Sequence, residues 1–154
     1  EKIIKDYIAS KNAPKFTEKA SNRAYYFPMS DTVVVPDRNQ FDDPGEFYST
    51  SYHELAHSTG HDSRLNRIEH KSFGDHAYSK EELVAEISAA MLCNMVGLDT
   101  DRIFENSAAY VANWLKALKN DKNLVVTAAQ RAQKAVDLIL GNKFEPKDDG
   151  KKVA

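Results

Sequence analysis

The chain is 154 residues long, 42% hydrophobic and 29% charged, which suffices to bury the core of one ordinary globular domain and leaves no room for a second full one. Its formal net charge of −2 and pI near 6.2 give no electrostatic footprint for nucleic acid, and no run of about 18 apolar residues is present to span a bilayer. A single cysteine, Cys93, excludes an intrachain disulfide framework and a cysteine-rich metal site, and makes a reducing compartment, the cytoplasm, the expected location.

The chain opens on Glu1 with no signal-peptide core, and reads as a piece of a longer protein. Ile3, Ile4, Tyr7 and Ile8 recur at helical spacing and predict a short amphipathic helix over residues 2–10, ended by Pro14. Residues 24–27 and 32–35, joined by a turn and closed by Pro36, are rich in aromatic and β-branched side chains and predict a hairpin. After a loop over 37–45, Tyr48, Tyr52 and Leu55 mark a first long helix over 46–59, with Gly60 where a left-handed cap would fall. The aromatics of this helix read as core.

A polar segment, 61–78, is expected to be a loop lining a site. Ser79, with Glu82 three residues on, resembles a capping box opening a second helix to residue 96 that carries Leu83, Val84, Ile87, Ala90 and Met91 on one face and stops at Gly97. Two more amphipathic helices are predicted over 107–119 and 123–140, the latter with Val125, Ala128, Ala129, Ala132, Val136 and Ile139 inward and Gly141 at its end. Lysines and arginines along them, Arg131 and Lys134 among them, read as solvated faces. The expected architecture is α+β: one domain over 1–141 with a small antiparallel sheet, four main helices and a flexible charged tail over 142–154.

The chemistry is carried by His53-Glu54-Leu55-Ala56-His57. On a helix, residues four apart stack on one face, so both imidazoles can bind one ion, and Glu54 can reach a water beside it. A catalytic site of this kind needs a third protein ligand and an open position. A histidine six residues beyond His57, as in metzincins, is absent because Ser63 stands there; His61 would have to double back past Gly60; the remaining source is a glutamate of the next helix, within Glu81-Glu82-Leu83-Val84-Ala85-Glu86. Glu82 and Glu86 share a face with Ala89 and Cys93, small residues that let this helix lie close to the first. Buried acids need a cation or donors. Glu82 is therefore assigned as third ligand and Glu86 as the hydrogen-bond partner that orients a ligand imidazole. The competing reading of Glu82 is the capping box with Ser79. One zinc ion held this way lowers the pKa of a bound water to roughly 7, Glu54 acts as general base, and Tyr78 is the first choice as donor to the developing oxyanion. His70 and His76 read as polar loop residues, and Cys93 as inert packing.

Tyr52 to His61, Arg64-Leu65-Asn66-Arg67, Phe73-Gly74 and Glu81 to Glu86 resemble the zincin-like C-terminal domain of ArdC-type plasmid antirestriction proteins. Val34-Val35-Pro36 with Phe41, Ala108-Ala109-Tyr110 with Trp114-Leu115 and Leu118, and Ala128-Ala129 to Ala132 extend the likeness over residues 25–140. The resemblance implies a metallopeptidase fold related to the SprT and ImmA/IrrE groups, with ligands at His53, His57 and, by the Glu-x-x-Ala pattern, Glu82. It implies a zinc metallopeptidase acting on a peptide or protein substrate, or alternatively a non-catalytic, metal-stabilised antirestriction module. ArdC-like proteins also carry an N-terminal single-stranded-DNA-binding domain, so DNA contact is expected through that domain and not from this chain, and no membrane partner is expected.

Overall fold

Ile4 and Tyr7 lie one turn apart on the seven-residue helix α1 (Lys2–Ile8) and turn its buried face to the core. The computed structural model describes residues 1–68, 76–98 and 123–142, without the side chains of 76–79. The helix predicted over 107–119 and the tail from residue 143 onward lie outside the described residues.

Strands β1 (Lys15–Lys19), β2 (Tyr25–Phe27) and β3 (Thr32–Pro36) form a sheet in the order β1-β3-β2. The predicted hairpin is present: β2 pairs antiparallel with β3, Tyr26 opposite Val33. The sheet is nevertheless mixed rather than antiparallel, because β1 pairs parallel with the other edge of β3, Phe16 opposite Val33. Three consecutive valines, Val33, Val34 and Val35, are 0%, 4% and 0% exposed; burial on both faces suits a central strand, whose backbone must be paired along both edges.

Helix α2 (Pro44–Ser58) begins two residues before the predicted start, with Pro44 in its first turn and the Asp43 carboxylate accepting the Gly45 N–H at 2.6 Å. Its inner face, Phe47, Ser51, Tyr52, Leu55 and Ala56, packs on the sheet and the later helices. Gly60 does not adopt the expected left-handed conformation; among the described residues the left-handed glycines are Gly97 and Gly141, which follow helices as predicted. A Cβ at Gly60 would lie 2.8 Å from Ile68 Cγ1 and 3.2 Å from both Arg67 Nη2 and the His57 carbonyl. This glycine is needed for space.

Helix α3 (His76–Met95) starts three residues upstream of Ser79, so Ser79 lies inside the helix and not at its expected N-terminus. Ala85, Ala89 and Cys93, spaced by four, are buried and bring α3 close against α2 along a seam of small side chains. Cys93 is core, as expected. Leu83 and Val84 are buried with them, while Ile87, Ala90 and Met91 are half-buried. Helix α4 (Leu124–Ile139) packs against α3 through Leu124, Ala128, Ala132, Ala135, Val136 and Ile139. Val125 and Ala129, expected inside, are exposed, each about 100° past that stripe on a 3.6-residue turn; Arg131 and Lys134 are on the solvated side. Among the described residues no helix is long and apolar enough to cross a membrane.

Candidate metal centre

Two adjacent helices supply the site. The last two turns of α2 present His53 and His57, whose Nε2 atoms lie 3.0 Å apart, and α3 brings Glu82 across the seam. Glu82 Oε1 is 3.2 Å from His57 Nε2 and Oε2 is 3.6 Å from His53 Nε2. One ligand atom from each of the three residues falls within 4.8 Å of the others. Two imidazole nitrogens and one carboxylate oxygen make a donor set that suits Zn2+ and also Mn2+. All three side chains are largely buried, between 12% and 19% exposed.

The outer ring nitrogens face two further acids of α3. Glu86 Oε1 lies 3.6 Å from His53 Nδ1, and Glu81 Oε1 lies 3.6 Å from His57 Nδ1. These are ion-pair separations, longer than hydrogen bonds. A carboxylate at Nδ1 favours the tautomer that leaves the Nε2 lone pair free for a metal. Glu86 thus faces His53 at a separation longer than the hydrogen bond expected of it, and Glu81, given no role from the sequence, faces His57 in the same way.

Glu81 is held in turn by Arg67. The guanidinium donates Nε–H to Glu81 Oε2 at 3.0 Å and Nη2–H to Oε1 at 2.8 Å, and it also reaches Thr59 Oγ1 at 2.8 Å and the Ala56 carbonyl at 2.9 Å. The loop after α2 aims Arg67 back at that helix: Asn66 takes a left-handed φ of 46°, and the Arg67 and Ile68 N–H groups both donate to the Gly60 carbonyl. The available signals were the acid preceding Glu82 and an arginine in a short polar loop.

Electrostatics follow from burial set against opposite charges. Burial opposes a charged His57, but the Glu81 and Glu82 carboxylates outweigh it and push the ring's pKa up to about 10. Burial also works to raise Glu82, yet the two histidines hold it far below the ordinary carboxylate range. Glu81 is lowered despite burial, by His57 and Arg67. Burial pushes Glu86 up, with partial relief from His53 and His57 and a further rise from Glu82. Glu54, 8% exposed, is raised by burial, with partial relief from His57, His53 and the Tyr26 backbone N–H of β2 and a further rise from Glu82.

His61 is engaged elsewhere: its Nδ1 pairs with Ser63 Oγ at 2.8 Å and Asp62 Oδ1 at 2.9 Å. Arg64, 3% exposed, ties the end of α2 to the sheet: Nε donates to the Ser58 carbonyl at 2.8 Å, Nη1 to the Asn12 carbonyl at 2.7 Å, and the fork grips Asp31. Tyr78 stands in the first turn of α3, with its side chain outside the described residues, and His70 also lies outside them.

A model of the family described as zincin-like metallopeptidases matches residues 4–131. A protein named DNA primase TraC, from Escherichia coli, is 39% identical over 142 residues, covering 92% of this chain and 10% of its own length. Protein y4eC of Sinorhizobium fredii is 36% identical over 116 residues, 75% of this chain and 38% of its own. Among solved structures, the Mn(II)-bound antirestriction protein ArdC of plasmid R388 aligns with a TM-score of 0.77 at 41% identity, covering 92% of this chain and 52% of ArdC. Metal-free ArdC gives 0.74 at 41% identity over the same share of this chain and 50% of its own. The chain therefore spans about half of ArdC and about a tenth of TraC.

Proposed function

This chain belongs to the zincin-like metallopeptidase family, and from that premise we propose that it hydrolyses peptide bonds of a peptide or protein substrate with one zinc ion held by His53, His57 and Glu82. The observation that carries this reading is the buried Glu54 carboxylate, raised in pKa beside a convergent pair of imidazoles and a third carboxylate. When bound, the ion supplies Lewis acidity, polarising a carbonyl and easing deprotonation of a water. The chain's own residues do the rest. Glu54, its basicity increased by burial, takes the proton of the attacking water and passes it to the leaving nitrogen. Glu86 and Glu81 keep the two rings in the tautomer that presents Nε2. Tyr78, at the start of α3, is the proposed donor to the oxyanion, with Tyr78→Phe expected to lower kcat and leave metal content unchanged.

The test is Glu54→Gln in the zinc-loaded chain, with cleavage of an unfolded protein such as casein followed alongside metal content and circular dichroism. General-base removal should reduce turnover by about 10²–10⁴-fold while ion and fold persist. Unchanged turnover, or none in the unsubstituted chain with either zinc or manganese, would refute the peptidase reading.

A second reading has its own support: the same unit lies within longer proteins named for antirestriction and for DNA priming. There it would act as a metal-stabilised interaction module, and Glu54→Gln would leave antirestriction function of a full-length protein intact. With a net charge of −2, we assign DNA contact in either case to parts of such proteins beyond this chain, which predicts no salt-sensitive DNA affinity for the chain itself.

A further inference from the structure

Three glutamates of α3, Glu81, Glu82 and Glu86, approach the two imidazoles of α2, but only Glu81 is gripped by a guanidinium among the described residues. Arg67 is 6% exposed and spends its donors on two targets at once. Nε and Nη2 form a fork on the Glu81 carboxylate, while Nη1 and Nη2 tie to Thr59 Oγ1 and the Ala56 carbonyl of the helix that carries His57. The carboxylate is thereby fixed with respect to α2, although it belongs to α3. Gly60 leaves room for this, since a Cβ there would press on both Arg67 and Ile68.

We propose that Arg67 and Glu81 are a positioning pair for the metal centre: Arg67 fixes the Glu81 carboxylate beside His57 Nδ1, and that carboxylate sets the tautomer and angle at which His57 presents Nε2. The proposal rests on the metal-binding reading given above. Oε1 of Glu81 is the shared atom, 2.8 Å from Arg67 Nη2 and 3.6 Å from His57 Nδ1. A freely rotating glutamate would hold that position only part of the time. A forked, planar contact removes the freedom, which a lysine's point charge does not.

The experiment uses the full chain with Mn(II) alone as probe, and compares the unsubstituted protein with Arg67→Met, Glu81→Gln and the double variant. Each single change should weaken Mn(II) binding about 10–100-fold, the range for groups that orient a ligand, once each variant's affinity is corrected for the proton that His57 releases on binding. Because both act through one contact, the double variant should bind no more weakly than the weaker single. In the zinc-loaded protein, side-chain ¹⁵N NMR should find the His57 proton on Nδ1 and a shifted or broadened Nδ1 signal in Arg67→Met. A merely structural Arg67 would lower Tm and leave both affinity and the His57 signal alone. Should Arg67→Met fail to fold, Glu81→Gln, which still offers an oxygen to Arg67, decides alone through affinity and the His57 signal. Affinities within twofold of the unsubstituted chain, or penalties that multiply in the double variant, overturn the pairing. An unsubstituted chain that binds no Mn(II) overturns the metal-binding reading and this proposal with it.

Discussion

Acidity should control ion binding through His57. In the metal-free protein its pKa is raised to about 10 from an ordinary 6.5, so at neutral pH the ring holds a proton where a metal needs a lone pair. Binding must release that proton. The apparent affinity then falls tenfold for each pH unit below about 10, a factor of roughly 100 between pH 8.5 and 6.5, or ~3 kcal/mol at 1.36 kcal/mol per unit. The metal-free fold responds in the opposite direction. A raised folded-state pKa contributes stability that is fully present below 6.5 and is lost as pH rises through about 10. Zinc affinity measured by competition with a chelator across pH 6.5–8.5, together with calorimetry in buffers of different ionisation heat, gives both the slope and the number of protons released. A flat profile with no proton release would mean that Glu81 and Glu82 do not charge the ring, and the reasoning would be wrong.

Glu82→Gln removes the charge while keeping the shape, and it should strip the chain of stoichiometric zinc in elemental analysis without melting α3, whose start at His76 leaves Glu82 no capping duty; full zinc retention would rule Glu82 out as a ligand. Arg64→Met leaves Asp31 and the Ser58 and Asn12 carbonyls without their shared donor, and should cost about 3 kcal/mol in urea unfolding; a loss under ~1 kcal/mol would contradict a structural clamp. Gly60→Ala should cost about 1–3 kcal/mol from overpacking, because the new methyl meets Ile68, Arg67 and the His57 carbonyl; an unchanged Tm would show that the loop yields freely.

The histidines were legible because their pairing is local: helix geometry alone stacks residues 53 and 57. The third acid was legible as a run of glutamates on the next amphipathic helix, and the hairpin as two short β-rich segments. The first strand was not, since Lys15–Lys19 has one apolar residue and no fully buried position; its membership in the sheet comes from the unmet edge of β3 rather than from any pattern of its own. The start of α3 was misplaced because Ser79 and Glu82 mimic a cap whose spacing also occurs inside helices. Gly60 looked like a conformational cap but is a matter of clearance. Arg67 carried only a weak signal as a site residue, since its reach depends on a left-handed turn at Asn66 and on loop N–H groups that bond the Gly60 carbonyl.

The donors at the candidate centre are divided across the seam, two from α2 and one from α3. An ion there is a removable clasp: it joins the two helices only while occupied, with a strength that grows as the logarithm of free-ion concentration above its dissociation constant. Four carboxylates stand nearby: Glu82 raises both Glu54 and Glu86, while Glu81 and Glu82 are held low by the histidines and, for Glu81, by Arg67. On the proposed metal-binding reading, cohesion of the helix pair would be coupled to metal supply, and a chelator should open this seam to hydrogen exchange before it disturbs the packing of α4 against α3.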